Sequence, residues 1–289
     1  MALTVNTNTT SLGVQKNLNR ASDALSTSMT RLSSGLKINS AKDDAAGLQI
    51  SNRMTSQIRG QTMAIKNAND AISIAQTAEG AMQEQTNILQ RMRELALQSR
   101  NDSNTVDDRD ALNKEFQSMT KELDRIAAST QLNNKNLLDG TTKTPMIFQV
   151  GSNTGSDNQI SITLSDAMNT SASGALSALA GKTITTTTAA ATSDMEVNFS
   201  GAMTAIDQAL KNINTTRADL GAVQNRLTST IANLQNINEN AEAARGRVQD
   251  TDFAAETAQL TKQQTLQQAS TSVLAQANQL PSAVLKLLQ

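Results

Sequence analysis

The stretch Leu266–Gln289, LQQASTSVLAQANQLPSAVLKLLQ, decides the fold, because as a helix it is stable only when another surface covers one of its sides. Lys286 is its only charge, and its polar residues are Gln, Ser, Thr and Asn, which are buried at lower desolvation cost than charged groups. Apolar residues recur at alternating spacings of three and four, as on one helix face: Leu266, Ala269, Val273, Ala277, Leu280, Val284 and Leu287. We expect this face to be buried against other helices.

The start of the chain has the same character. Lys16 is the only charge before Arg20, and apolar residues again follow helical spacing: Val14, Leu18, Ala21, Leu25, Met29, Leu32 and Leu36. An isolated amphipathic helix is marginal in water, since most of its stability comes from packing. The two ends are therefore natural partners. Periodicity alone leaves open whether they only close an intramolecular bundle or also pack against copies of the chain.

Composition gives no support to several classes of function, although the carboxylates and lysines that remain do not exclude catalysis. The chain has 289 residues, no Cys, no His, no Trp, no Tyr and four Phe. Without His or Cys, the usual nucleophile–base pairs and the commonest metal-ligand sets are missing. A net charge of −1 and almost no aromatic side chains give no platform for nucleic acid. We therefore expect no enzyme activity, no cofactor, no metal and no nucleic-acid partner.

The ends and the cysteine count bear on the compartment. Met1–Ser11 has no basic segment followed by an apolar run, so we expect no cleaved secretory signal. The sequence contains no run of eighteen apolar residues, so we expect no membrane span. The absence of disulfides fits a cytosolic protein, and equally one that leaves the cell unfolded through an export channel. The residues alone do not separate these two.

Long helices dominate the expected organisation. A helix is predicted from about Ala45 to Arg100, after a polar break around Gly35, and its heptad positions are Ile65, Ala68, Ile72, Ala75, Met82, Leu89 and Ala96, with Glu79 as a polar intruder. After a turn at 101–104, the capping box at Thr105–Asp108 predicts a shorter helix that folds back antiparallel. A third long helix is predicted from near Glu196, with a second break at Gly246.

The middle of the chain has a different pattern. Met146–Val150 and Gln159–Leu164 read as two strands of a β-hairpin. Ser165–Asp194 is rich in Ala, Ser, Thr and Gly and has too little apolar bulk for a core of its own, so it predicts a surface insertion.

These elements predict a mainly α fold: a nested antiparallel coiled-coil rod of long helices, with a small β-hairpin and a low-complexity loop at the distal tip. We expect three domains. They are an inner terminal coiled coil (1–42 with 252–289), a helical rod with the hairpin (43–176 with 198–251) and a short variable surface insertion (177–197).

Long blocks of sequence resemble bacterial flagellin, the subunit of the flagellar filament, over nearly the whole chain. They are Arg31–Gly35, Ile38–Gly47, Asn67–Ser73, Ala78–Ala81, Gln90–Ala96 and Ser272–Gln279. Many family members carry whole outer domains where this chain has about thirty low-complexity residues.

The resemblance implies a structural subunit that self-assembles head to tail into the filament, outside the cell, with terminal helices that fold on assembly. It implies export through the flagellar type III apparatus without a cleaved signal, an export chaperone on the C-terminal helix, a filament cap and hook-associated junction proteins. A hook–filament junction protein is the alternative. Residues implied in terminal and inter-subunit packing are Leu18, Leu25, Leu32, Leu36, Leu266, Val273, Ala277, Leu280, Val284 and Leu287.

Three further residues, Arg91, Leu95 and Glu115, match family positions that the flagellin-sensing Toll-like receptor contacts. Leu95 also fits a core stripe, and Arg91 also fits a solvated helix face. Hydroxyls between Ser161 and Ser200 could accept sugars, but an unmodified loop is the interpretation that the composition favours.

Overall fold

A computed structural model describes residues 7–140, 145–164, 168–171, 174–185 and 192–287, with the backbone alone at 192–195 and 280–287. Over these residues the helices are α1 (Thr9–Ser34), α2 (Ala45–Ser99), α3 (Val106–Ser129), α4 (Thr192–Gln249) and α5 (Phe253–Leu287). Between α3 and α4 lie the strands β1 (Gln131–Leu132), β2 (Lys135–Asn136), β3 (Met146–Gln149) and β4 (Gln159–Ile162). The predicted mainly α fold class is confirmed.

The chain forms two compact units. The terminal unit is Met1–Ile58 with Glu239–Gln289, and the central unit is Arg59–Asn238. Both divisions fall inside long helices, α2 and α4, whereas the predicted domain boundaries at 42/43 and 251/252 fall at breaks between helices. The three predicted domains stay a prediction.

In the terminal unit, α1 and α5 pack antiparallel. The Asn8 side chain caps the start of α1 and donates from Nδ2 to the carbonyl oxygen of Ala277 at 2.8 Å. Near the other end of the pair, Arg31 and Glu256 form an ion pair. The predicted pairing of the two chain ends is confirmed.

The break after α1 is held by backbone hydrogen bonds to the break after α4. Gly35 ends α1 in the left-handed conformation, at φ 71°, which glycine adopts without steric cost. The N–H of Thr251 donates to the carbonyl of Gly35 at 2.9 Å, and the N–H of Lys37 donates to the carbonyl of Gln249 at 2.7 Å. These bonds surround an antiparallel bridge between Leu36 and Asp250. The two breaks therefore lie side by side.

The expected second break at Gly246 is wrong, because Gly246 lies inside α4. The N–H of Asp250 still donates to the carbonyl of Gly246 at 2.8 Å, so helical hydrogen bonding continues past the glycine. One helical glycine costs only about 1 kcal/mol relative to alanine, which packing offsets. The new helix starts after Asp252, whose carboxylate accepts from the N–H groups of Ala254 and Ala255.

The core of the central unit is made by α2, α3, α4 and the segments between α3 and α4. Its largest fully buried side chains on α2 and α3 are Met82, Leu89, Met92, Leu95, Phe116 and Leu123. Burying each such side chain stabilises the fold by about 1.5–3 kcal/mol. The heptad stripe on α2 is confirmed from Ala68 to Ala96, while Ile65 and Ile72 are half-buried. The capping box at the start of α3 is also confirmed, with both reciprocal bonds between Thr105 and Asp108.

Two polar side chains on the packed face of α2 bond to neighbouring elements, although Oε1 of Gln85 has no hydrogen-bond partner among the described residues. Glu79, the intruder in the α2 stripe, accepts from Nε2 of Gln224 at 2.9 Å and lies 3.9 Å from Arg217, both on α4. Gln85 is fully buried and donates from Nε2 to the carbonyl of Met168 at 2.8 Å and more weakly to that of Leu123 at 3.3 Å. These bonds fix the register of the helices, since a buried amide without a partner is costly.

Two hairpins follow α3. The predicted one is confirmed as β3 and β4, with Met146 opposite Ile162 and Gln149 opposite Gln159. The sequence reasoning missed the shorter pair β1 and β2. Its two-residue turn is Asn133–Asn134, with φ 50° and 61°, and Asn is among the few residues that favour this conformation.

The low-complexity tract is not merely a surface insertion. Of the predicted insertion 177–197, residues 186–191 lie outside the described residues, and α4 already begins at Thr192. Leu179 and Ile184 are 1% exposed, and Met168 and Leu176 just before are equally buried. Side chains of the helices also bind the backbone of this segment: Asp124 accepts from the N–H of Thr170, Asn113 accepts from the N–H of Ile184, and Asn212 donates to the carbonyl of Ala175. A few large residues therefore dock a chain of low average hydrophobicity.

Candidate assembly surfaces

Helix α5 has an inner and an outer apolar face. Ala277 is buried against α1, and Leu260 and Leu274 are half-buried on the same inner side. Leu266 and Val273, one heptad apart, remain 44% and 46% exposed. A single α1–α5 pair thus covers one face of α5 and leaves the second open.

The predicted packing residues divide between these faces. Leu18, Leu25, Leu32 and Leu36 are half-buried. We call the α1–α5 interface the seam. Among the predicted residues of α5 whose side chains the structure describes, only Ala277 is buried in the seam, while Leu266 and Val273 are about half exposed. The side chains of Leu280, Val284 and Leu287 lie outside the described residues. The seam is offset by one residue, about 100° around the helix, from the stripe that periodicity favoured.

Much of the seam is polar. On α5, Gln263, Gln267 and Ser270 are half-buried between the apolar positions, and on α1 Ser28 is only 3% exposed. Amide and hydroxyl groups give up water on burial and recover little net free energy from each hydrogen bond, about 0.5–1.5 kcal/mol. The α1–α5 contact is therefore weaker than an apolar coiled coil of the same length would be.

The three residues matched to receptor contacts do not share one surface. Arg91 lies on the exposed side of α2 and contacts Glu115 of α3 at 3.0 Å and Glu94 at 3.1 Å. Hydrogen bonds to Glu115 and then Glu94 raise the pKa of the Arg91 guanidinium above its ordinary value. Leu95 is fully buried in the core of the central unit. In the single chain, Arg91 and Glu115 are open to a partner, and the Leu95 side chain is not.

A groove of about 540 Å³ lies in the central unit between the β3–β4 loop and α4, and we call it the hairpin groove. Its apolar floor includes Val150, Ile160, Leu234 and Ile237, and its polar lining includes Gln61, Ser152, Asn153, Asp157, Asn158, Arg226, Ser229, Thr230 and Asn233. The sequence reasoning missed this groove. Its residues come from three distant stretches, and each fits an ordinary solvated face when taken alone.

The described residues give no sign of a metal centre or a membrane span. Among them, no three His, Cys, Asp or Glu side chains are grouped to hold a metal ion. No helix in the described ranges is both long and apolar enough to cross a membrane.

Comparisons with known proteins match both ends and the full length of the chain. Residues 5–143 match the profile of the bacterial flagellin N-terminal helical region, and residues 203–288 match that of the bacterial flagellin C-terminal helical region. Flagellin D of Vibrio anguillarum is 41% identical over 377 aligned positions, and Flagellin B of Vibrio cholerae is 42% identical over 377, with all of both chains covered in each case. These alignments are longer than the 289 residues here, so both relatives carry residues that this chain lacks.

A solved structure of a putative flagellar hook-associated protein from Vibrio parahaemolyticus is similar in fold, with a TM-score of 0.55. The similarity covers 73% of this chain and 99% of that one, at 13% sequence identity. At that identity it concerns the fold alone.

Proposed function

The chain belongs to the bacterial flagellin family and is a structural subunit of the flagellar filament, and from that premise we propose that it polymerises through the faces of α1 and α5 that the single chain leaves exposed. The family is structural rather than enzymatic. The filament it forms is a homopolymer outside the cell.

The outer face of α5 carries this proposal. Leu266 and Val273 are about half exposed on a helix whose other face is already packed. Fully burying such a side chain gives about 1.5–3 kcal/mol, so covering the open half gives roughly 1 kcal/mol per residue. A neighbouring copy is the partner that a homopolymer supplies at every subunit. The inner terminal domain (1–42 with 252–289) would then be completed only in the filament.

The small free energy gained in the α1–α5 contact also supports folding of the terminal helices on assembly. Ordering the backbone costs about 1–2 kcal/mol per residue, and the partly polar seam between α1 and α5 returns little of it. Isolated helices are marginal in water, so the missing stabilisation has to come from neighbours. Repetition of one head-to-tail contact whose rotation does not close then produces an open helix of subunits.

An exported subunit with this α5 needs protection before assembly. We propose that a flagellin chaperone covers the outer face of α5 in the cell, and that the flagellar type III apparatus exports the chain without a cleaved signal. A filament cap and hook-associated junction proteins would bound the polymer at its two ends. The apolar outer face of α5 supports the chaperone part of this proposal, since exposed apolar surface of this kind promotes aggregation.

The Arg91–Glu115 pair is the part of the proposed receptor surface that is exposed. A Toll-like receptor that senses flagellin would contact the guanidinium and carboxylates of this cluster, and Leu95 would act only by supporting α2 from below. A hook–filament junction protein is less favoured as an identity, because both full-length relatives are flagellins and the hook-associated structure shares the fold alone.

Seeded polymerisation tests the proposal. Heat-dissociated protein is mixed with short filament seeds and followed by light scattering, circular dichroism and electron microscopy. We expect long uniform filaments, and helicity that rises as they grow. A chain truncated before Leu266 should keep a folded central unit and add to no seed. Filaments of the truncated chain, or a full chain that stops at rings, would overturn the proposal.

A further inference from the structure

Methionine is the only residue type in this chain whose side chain hydrogen peroxide oxidises readily. The sequence has 11 Met and no Cys, His, Trp or Tyr, the other side chains that are sensitive to oxidation. A thioether that takes up one oxygen atom becomes a sulfoxide, which is polar, and reduction restores the thioether. The response of this chain to an oxidant therefore depends on where its methionines lie.

The methionines whose side chains the structure describes fall into three groups by exposure. Met82, Met92 and Met168 are at most 1% exposed, in the core of the central unit. Four others are half-buried: Met54, Met119, Met146 and Met203. Met29 on α1 and Met63 on α2 are 52% and 53% exposed. An oxidant in solution therefore reaches Met29 and Met63 before the core methionines, since susceptibility follows exposure.

Met29 lies beside the seam but outside it. Its neighbour Ser28 is 3% exposed and occupies the seam, and one residue corresponds to about 100° around a helix. An apolar thioether is thus left in solvent while a hydroxyl is buried. The residues on the same face of α1, Ser22, Ser26 and Ser33, are exposed and polar. Over residues 22–33, Met29 is therefore the only large apolar side chain that this face offers to a partner.

Oxidation of Met29 opposes the burial of this face. Under the proposed function, neighbouring copies cover the faces of α1 and α5 that the single chain leaves exposed. A sulfoxide oxygen is hydrogen-bonded to water and gives up those bonds when a neighbour covers it. The core of the central unit is unaffected, because its methionines are shielded from the oxidant.

We propose that Met29 is an oxidation site that controls assembly of the free subunit, with hydrogen peroxide as the oxidant. The sulfur lone pair attacks one peroxide oxygen, the O–O bond breaks as the S–O bond forms, and water leaves. The sulfur loses two electrons, and the peroxide gains them. The oxidised subunit binds its neighbours less tightly, whereas a neighbour in the filament shields Met29 from the reaction. This inference rests on the proposed assembly through α1 and α5 and adds a chemical control to it.

Limited oxidation of the dissociated chain tests the proposal. Hydrogen peroxide is added and then removed with catalase, and peptide mass spectrometry locates each added oxygen atom. We expect the critical concentration for seeded growth to rise about fivefold once Met29 is oxidised, because the apolar burial of its side chain is lost. Methionine sulfoxide reductases for both sulfoxide epimers, with dithiothreitol supplying the electrons, should restore growth.

Substitutions separate Met29 from the other methionines. Met29→Leu keeps an apolar side chain that peroxide does not oxidise, so peroxide should leave the growth of this variant nearly unchanged. Met29→Gln places a polar amide of similar length at the same position and should grow poorly without any oxidant. Met63→Leu removes the other exposed thioether and is the matched control, which should stay as sensitive to peroxide as the natural chain. Circular dichroism checks that all monomers fold.

Finished filaments give a second, independent measurement. Peroxide is added to filaments and to the dissociated chain at the same dose, and the rate of sulfoxide formation at Met29 is compared. We expect Met29 to react about tenfold more slowly in filaments, because a neighbouring copy covers its sulfur.

The outcomes separate this inference from the proposed function. If the untreated natural chain fails to polymerise, the proposed function is wrong, and this inference falls with it. If the untreated chain polymerises, three results would each show that only the oxidation site is wrong. They are normal growth of the chain that carries the Met29 sulfoxide, equal peroxide sensitivity of Met29→Leu and the natural chain, and equal reaction rates of Met29 in filaments and in the dissociated chain.

Discussion

Arg31 on α1 lies 3.6 Å from Glu256 on α5, and their side chains are only 30% and 13% exposed. Nε of Arg31 is buried and has no hydrogen-bond partner among the described residues, so this ion pair is the main compensation for a partly buried guanidinium. In a seam with many polar positions, it is also a contact that fixes the register of the two helices. A one-turn slip would separate the two charges.

Replacing Glu256 by alanine should therefore weaken the α1–α5 pair by about 1–3 kcal/mol, because Arg31 stays half-buried without its carboxylate. Hydrogen exchange in assembled filaments is the measurement, and amides of α1 and α5 should exchange about tenfold faster or more. Glu242→Ala, an exposed residue of α4 in the same unit, is the control. Unchanged protection in α1 and α5 would contradict the role of the pair.

Val273→Asp should block assembly while leaving the monomer folded. The change places a carboxylate on the outer face of α5, where a neighbour would have to bury it without a partner. Light scattering after seeding should show no growth at concentrations where the natural chain grows, while monomer helicity is unchanged. Ser272→Asp adds the same charge at the next position and should have a smaller effect. Normal growth of Val273→Asp would show that the outer face stays in solvent.

Gln85→Leu should destabilise the central unit by about 1–2 kcal/mol, because it removes the donor to the buried carbonyl of Met168. For a unit of this size, the melting temperature of the monomer should fall by about 3–6 °C. Gln83→Leu, which changes an exposed amide two residues away on the same helix, should leave it nearly unchanged. Equal melting of the two variants would mean that the amide does not hold the segment after β4.

Acid should weaken the start of α3. The hydroxyl and backbone N–H of Thr105 hydrogen-bond to the Asp108 carboxylate and lower its pKa below the ordinary value. A carboxyl whose folded pKa is lowered stabilises the fold above its unfolded pKa, and this contribution is lost as pH falls through the folded pKa. The natural chain should melt at a higher temperature than Asp108→Asn at pH 6, and the difference should shrink as pH falls below the ordinary aspartate pKa of about 3.9 and vanish once the folded carboxyl is protonated. A difference independent of pH would assign the effect to shape rather than charge.

The helical framework was predictable because its signals are local. The stripe from Ala68 to Ala96 and the capping box at Thr105 each lie within a few turns of one helix, so periodicity and capping chemistry identify them. The turn at Asn133–Asn134 was also locally encoded, but its strands are only two residues long, and no alternation of apolar residues announces them.

The features that could not be predicted from the sequence depend on contacts between segments that are distant in the chain. The tract after β4 looks too polar for a core, yet Leu179 and Ile184 find pockets between helices that are distant in sequence. The apolar stripe of α5 lies one residue from the seam, because the position of α1 selects which face is covered. The hairpin groove unites Gln61, the β3–β4 loop and α4, and no pattern within any one of these stretches indicates that they meet.

The bridge between Leu36 and Asp250 has a mechanical consequence. If the break between α1 and α2 and the break between α4 and α5 were not bonded to each other, the chain could rotate at each break independently. Here the hydrogen bonds from Thr251 to Gly35 and from Lys37 to Gln249 connect the two breaks. Rotation at one break is therefore coupled to rotation at the other. We therefore expect a twist applied to one helix of the terminal pair to be transmitted to both breaks together.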